Sequence, residues 1–359
     1  MTTLMRANNQ WSNRAPDERY NSIELMHKAA LATRTHSQET ERTMSHLRTY
    51  DSDGSVVISD GTATYDLTNW SFDQVSRRAK APAAYLRTLP ALLASRCINN
   101  GLDQLPLEER EKPISLLTKH NGSALLRAVT SDRYSRIWNA DITDRLVQLK
   151  IRGPWQEAPA AFDGSRGQYL SDRNMFSFFV DNERRIFERD KNGGLSRGFF
   201  VWNSEVGSDS FGIMTFLYEF VCGNHRVWGA SEIRELRIRH IGDADDRYFD
   251  AMRVRLVEYA ESSATEDELK IQSCRDYTIA GDKDEVIDLV FNTTGRIVPR
   301  KTITKAYELA EQHEDWYGSP RSAWGMSGGL TQIARDLPNA DDRVSLDRLS
   351  TKVMELAIN

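Results

Sequence analysis

The segment Ile233-Arg-Glu-Leu-Arg-Ile-Arg239 has the spacing of a strand built to meet an anion. Side chains alternate across a strand with a period of two, so Ile233, Glu235, Arg237 and Arg239 share one face and Arg234, Leu236 and Ile238 the other. Guanidinium groups grip phosphate oxygens in a planar fork and stack on bases, which makes Arg237 and Arg239 candidate contacts to a phosphodiester backbone. Arg173, Arg184, Arg185, Arg189 and Arg197 fall on the same run of expected strands and turns, and Tyr169, Phe178, Phe200 and Trp202 are rings on which bases could stack. The nucleic-acid-binding set read from the sequence is Arg237, Arg239, Arg197, Arg173 and Trp202. The alternative is a solvated sheet face whose arginines pair with Glu235 and its neighbours.

Two other chemistries have partial support. Asp132, Glu205 and Asp209 sit in loops beside expected strands, where grouped acids could hold magnesium as a nuclease requires. The same residue types also cap turns and strand ends. Cys222-Gly-Asn-His225 offers two zinc-type donors, with His240 close in sequence and His120 adjacent only if its strand pairs there. A closed zinc site needs four ligands, and no diagnostic spacing supplies the rest. A thiol nucleophile with a histidine base is a further reading, set against a cysteine buried at the end of an apolar strand. Gly193-Gly194 and Gly328-Gly329 match neither the phosphate-loop nor the dinucleotide pattern, and neither His-Glu-x-x-His nor Gly-x-Ser-x-Gly occurs. No cofactor and no metal are expected.

The elements that must position these residues are legible as patterns. Ser55-Val-Val-Ile-Ser59 and Thr62-Ala-Thr-Tyr-Asp-Leu67 flank Asp60-Gly61, a hairpin signal because glycine tolerates positive φ. Residues 22–36 predict a short helix. From Ser71, Phe72 and Val75 share a helical face, Ala81-Pro82 breaks it, and a further helix runs from Pro90 to about Asn99. With Arg77, Arg78, Lys80 and Arg87 nearby, this pair superficially resembles a helix-turn-helix. Residues 103–113 read as a linker. Strands follow at 114–118 and 125–129, a helix at 139–150, then strands at 175–180, 185–187, 198–204, 210–221, 226–228 and 233–239. After Gly242 the pattern is helical, with Phe249, Met252, Leu256 and Tyr259 on one face and further helices near 265–275, 282–292, 301–314, 322–335 and 345–357.

Consecutive strands followed by consecutive helices predict an α+β fold: a central antiparallel, curved sheet with a helical N-terminal part and a mainly helical C-terminal part. The expected regions are a flexible arm at 1–20, a hairpin-and-helix region at 21–105, a sheet core at 114–242 and a helical region at 243–359. With 359 residues, 40% hydrophobic and 28% charged, the chain has ordinary globular composition. Its longest apolar segment, Phe211 to Val221, is too short and too interrupted to span a bilayer, and the N-terminus lacks a signal-peptide core. Three widely spaced cysteines fit a reducing cytosol better than a disulfide framework. A net charge of −5 argues against a uniformly basic surface but leaves room for a local groove, and 36 of the 47 bases are arginine.

The run Arg197 to Gly229, with Arg127-Ala-Val-Thr-Ser-Asp-Arg-Tyr134, resembles a family of uncharacterised proteins carried by bacteriophages and plasmids, a domain of unknown function. The resemblance extends with gaps from about Asn69 to Ala334. It takes in Arg166–Asp172, the Asn203-Ser-Glu-Val-Gly207 turn, Val221–His225 and Ala323-Trp-Gly-Met326. Where the family has Cys-x-Asn-Gly, this chain has Cys222-Gly-Asn-His225. The resemblance implies a genomic setting and no reaction. Accessory proteins of that setting act on DNA in replication or recombination, or evade host defence. The expectation is therefore a cytoplasmic, homo-oligomeric protein binding single-stranded DNA, with no membrane partner. A protein-binding inhibitor of a host defence system and a metal-dependent nuclease are the alternatives.

Overall fold

The computed structural model describes residues 16–157, 167–186, 194–219, 225–227, 236–238, 254, 256, 258, 259, 261 and 265–358. Residues 1–15 of the expected arm, and Phe249 and Met252 of the expected helix, lie outside them. Strand β1 (Glu18–Tyr20) leads into helix α1 (Ile23–Thr35), where the Ser22 side chain accepts the Leu25 N–H that the first turn leaves without a helical partner. Four short strands follow: β2 (Ser37–Thr43), β3 (Arg48–Ser52), β4 (Ser55–Ser59) and β5 (Thr64–Leu67). β4 and β5 form the expected hairpin, with Gly61 at φ +87°. The Asp60 carboxylate organises its turn by accepting from Thr62 N and Ala63 N, each at 2.9 Å, and from Arg42 Nε at 3.1 Å. Burial pushes Asp60 up, but these donors and the Arg42 charge outweigh it and hold the group at about 2.

Helices α2 (Asn69–Arg78), α3 (Ala83–Leu86), α4 (Ala91–Asp103) and α5 (Leu107–Arg110) come next, then strands β6 (Pro113–Asn121) and β7 (Ser123–Ser131). These strands turn back into the N-terminal region. The result is a six-stranded sheet in the order β2-β6-β7-β5-β4-β3, antiparallel except for the parallel pair β5–β7. Phe72 and Val75 of α2 and Ile98 of α4 cover one face, against Ile58, Leu116 and Leu126. The expected boundary between residues 105 and 114 therefore runs through one sheet. Local pattern marks the linker but cannot say with which strands the next hairpin pairs.

Helix α6 (Asn139–Arg152) precedes β8 (Trp155–Glu157), β9 (Gln168–Leu170), β10 (Met175–Ile186), β11 (Leu195–Asn203), β12 (Phe211–Glu219), β13 (His225–Val227) and β14 (Leu236–Ile238). They form an eight-stranded antiparallel sheet with β1, ordered β1-β9-β10-β11-β12-β13, with β8 on β10 and β14 on β12. The segments expected as separate strands at 175–180 and 185–187 are one strand, irregular between Val180 and Arg185. All nine residues of β11 are buried. Phe199 and Val201 face α1 and α6 through Met26 and Ile142. Phe200 and Trp202 face the other way, among Phe176, Phe178 and Phe216.

Two glycines make that aromatic layer possible. Gly198 pairs with Phe216, and Gly212 with Trp202, across β11 and β12. A Cβ on Gly212 would stand 2.1 Å from Trp202 Cζ2, and one on Gly198 2.5 Å from Phe216 Cζ. Each ring lies across the strand position that lacks a side chain.

The C-terminal helices are α7 (Thr265–Asp276), α8 (Lys283–Thr293), α9 (Arg300–Gln312), α10 (Glu314–Tyr317), α11 (Ala323–Arg335) and α12 (Ala340–Glu355). Their core, including Ile303, Trp324 and Leu330, abuts Leu195 and Leu217 of the large sheet. α12 covers the aromatic layer with Ala340 and Val344. It also buries Asp347, whose Oδ1 has no hydrogen-bond partner. Burial pushes that carboxyl well above its usual range, against the Arg343 charge. The architecture is the expected α+β, with an antiparallel sheet and a helical C-terminal part. No helix among the described residues is long and apolar enough to cross a membrane.

Candidate functional site

The turn Asn203-Ser-Glu-Val-Gly207 between β11 and β12 is where the two sheets are tied together. Gly207 takes φ +76° and bends the chain so that successive groups point outward to different elements. Asn203 Nδ2 donates to Ile137 O at 2.9 Å and to Asn139 Oδ1 at 2.7 Å, and the Ser204 carbonyl accepts the Tyr134 hydroxyl at 2.7 Å. Burial holds the Tyr134 phenol above its ordinary pKa, so it stays a donor. The Val206 carbonyl accepts both Trp70 Nε1 and Gln74 Nε2 at 2.9 Å. Glu205, only 2% exposed, receives Arg127 Nη2 at 2.7 Å on one oxygen and Asn139 N at 2.8 Å on the other. Arg127 in turn donates to Ser37 Oγ of β2 at 3.2 Å. The two sequence motifs that stood apart, Arg127–Tyr134 and Asn203–Gly207, thus meet.

Above this knot lies a cleft of about 530 Å³ between the sheets, roofed by Ala29, Ala30 and Thr33 of α1. This is within the ~300–1,000 Å³ of typical ligand sites. The small sheet contributes Lys119 and Arg127, the edge of the large sheet Glu18, Tyr20 and Asp172, and the floor Asn139 and Glu205. Asn69, at the start of α2, lines the cleft as well and links it to a cationic rim: its Oδ1 accepts Arg173 Nη2 at 2.8 Å. The Arg173 guanidinium lies 5.1 Å from the Trp70 ring centre and that of Arg77 5.7 Å from it. Such arginine–indole contacts form a flat, positively charged platform. Burial and the Glu18 carboxylate raise the Tyr20 pKa, leaving its hydroxyl a neutral donor to Glu18 at 2.6 Å.

The residues expected to bind nucleic acid do not form one surface. Arg173 is at the cleft rim, bonded to Asn69 and 3.6 Å from Asp73. Arg237 belongs to β14, opposite Gly212, and Arg239 lies outside the described residues. Two placements correct the expectation. Arg197 is 8% exposed and internal, donating through Nε and Nη2 to Asp267 at 3.0 and 2.8 Å and through Nη1 to the Tyr259 carbonyl. Its charge is consumed in joining β11 to α7. Trp202 is 1% exposed, over Gly212, beneath α12 and with Arg348 5.1 Å from its ring. Tyr169, Phe178 and Phe200 are buried in the same layer. A helix more than a hundred residues away covers the face on which bases were to stack.

The other expectations are likewise placed. Among the described residues no group of three or more His, Cys, Asp or Glu side chains stands ready to hold a metal ion. Glu205 has an arginine instead, Asp132 is exposed, and Asp209 accepts the Ser210 N–H at 2.8 Å as a turn residue. His120 belongs to the small sheet and His225 to the large one. Cys222, His240 and Arg189 lie outside the described residues, and of Arg184 and Arg185 only the backbone is described. In the helix pair of the N-terminal part, Arg78 donates to Val129 O and Arg87 pairs with Asp73 at 2.6 Å, so only Arg77 of these arginines reaches the platform. Lys119, Arg127 and Trp70 went unrecognised because their spacing, 8 residues between the first two and 49 between Trp70 and Lys119, has no local period.

The molecule is thus an α+β protein with a cleft between two sheets that are tied together at one turn. The chain belongs to the family described as Domain of unknown function (DUF932), whose pattern matches residues 126–332, more than half of its length. Both halves of the knot, Arg127–Tyr134 and Asn203–Gly207, fall inside that match. No curated protein and no solved structure matches the chain.

Proposed function

We propose that this chain binds single-stranded DNA in recombination or replication, and that the strand runs over the Arg77–Trp70–Arg173 platform into the cleft. The observation that carries the reading is the joining, through Asn69, of a cation–indole platform to a cleft whose small-sheet wall presents Lys119 and Arg127. Stacking on an aromatic face combined with backbone-tracking cations is the general means of holding single strands without reading a duplex groove. The net charge of −5 is compatible with this because only a local groove need be basic. A cytoplasmic, homo-oligomeric accessory protein of a phage or plasmid is the setting this reading carries.

Fluorescence anisotropy with labelled single-stranded and duplex oligonucleotides over a salt series, with and without magnesium, tests it. Saturable, salt-sensitive binding that prefers single strands is expected. The Lys119→Gln, Arg173→Ala double variant should bind more weakly, with a log–log salt slope shallower by about 1.4, or ~0.7 for each lost phosphate contact. Absence of binding at low salt overturns the proposal and favours the protein-binding alternative. For that alternative the exposed apolar side chains Tyr85, Leu92, Leu93 and Leu107 of α3, α4 and α5 are the favouring observation.

A further inference from the structure

The two walls of the cleft carry opposite charge, and they come from different sheets. Lys119 and Arg127 belong to β6 and β7 of the small sheet. Glu18 lies in β1, paired with Leu170 of β9, and Asp172 follows β9 by two residues, so both carboxylates belong to one edge of the large sheet. Arg127 is already engaged by Glu205. Lys119 donates to Thr33 Oγ1 at 3.4 Å and has no ion pair among the described residues. A carboxylate accepts more than one hydrogen bond, so Glu18 and Asp172 keep acceptor capacity beside the partners they already have. A ligand that bridges both walls presents an anion to Lys119 and hydrogen-bond donors to these carboxylates.

We propose that the cleft selects nucleotides whose base bears an exocyclic amino group, cytosine, adenine or guanine, over thymine. This rests on the reading of the cleft as a seat for single-stranded DNA. The phosphate goes to the small-sheet wall, and the amino-bearing edge goes to the carboxylate wall. Carboxylates accept from base amino groups such as cytosine N4. Thymine meets the same wall with two carbonyl oxygens around a single N–H, so acceptors oppose acceptors. The neutral Tyr20 hydroxyl donates to Glu18 and fixes that carboxylate at the edge. The volume of about 530 Å³ suits one or two nucleotides better than a duplex.

The test is competition anisotropy of the full chain with oligodeoxycytidylate, oligodeoxyadenylate and oligothymidylate of equal length. Native protein should bind the first two about tenfold more tightly than oligothymidylate, the order of discrimination one good base contact supplies. In the Glu18→Gln, Asp172→Asn double variant, isosteric and checked for an unchanged circular dichroism spectrum, the ratio should fall to near one. Equal binding of all three by the native protein overturns the inference while leaving the single-strand reading intact. So does a preference that survives the double variant. Failure to bind any of them overturns both.

Discussion

The two sheets use the same strand geometry for opposite ends. The eight-stranded sheet is rich in aromatic residues and covered on both faces, so that β11 has no exposed position and its one arginine, Arg197, is closed into an ion pair with Asp267. The six-stranded sheet is plainer. Helices cover one face, and its strands offer Lys119 and Arg127 to the cleft. Rings and cations on strands suggest a binding face only while one side of the sheet stays open. Here the central strands of the conspicuous sheet are scaffold, and only its edge meets the modest sheet across the cleft.

The largest effect should come from removing what joins them. Glu205→Ala strands the part-buried Arg127 guanidinium and the Asn139 N–H, and is expected to cost about 3 kcal/mol of stability in urea unfolding. Glu205→Gln, which can still accept from Asn139 N, should cost clearly less. Equal, small losses for both would mean that the sheets hold together without the knot. Within the large sheet, Gly212→Ala forces a methyl against the Trp202 ring and should cost about 2–3 kcal/mol. The same change at Gly281, where nothing lies within 4 Å, should stay within about 0.5 kcal/mol. Parity between the two would show the aromatic layer to be loosely packed.

The smallest effects separate the sheets by pH. Asp60, in the small sheet, is held at about 2, below its unfolded value, so its contribution is complete at neutral pH and is lost as pH falls through the carboxylate range towards 2. Asp60→Asn should lose about 2 kcal/mol at pH 7 and little at pH 2. Asp347, beneath α12, has the opposite sign. Its folded value is raised, so stability declines as pH rises above the ordinary carboxylate range towards that value. Asp347→Asn should gain on the native protein as pH rises above the ordinary carboxylate range, and urea midpoints followed from about pH 2 to neutral pH check both slopes.

Local chemistry made much of this architecture legible. The Asp60-Gly61 hairpin, the start of α6 at Asn139 and the helices α7, α8, α9, α11 and α12 follow from turn residues and three- and four-residue apolar spacing, whereas the short α10 does not. The candidate site was far less so. The sequence points to Arg173, but Glu205 reads as a metal acid because its partner Arg127 is 78 residues distant. Arg197 and Trp202 read as binding residues from the sequence because the alternation in β11 shows which side chains share a face, not what covers it.

The longer helices, most central strands and the α+β class follow from short-range chemistry, since helix and strand periods, caps and tight turns act over a few residues. Tertiary structure alone decided the parallel pairing of β5 with β7, the burial of the aromatic layer under α12 and the meeting of Arg127 with Glu205. Those depend on which distant surfaces exclude water from one another and which buried charges find partners, and neither is encoded in any single window of the chain.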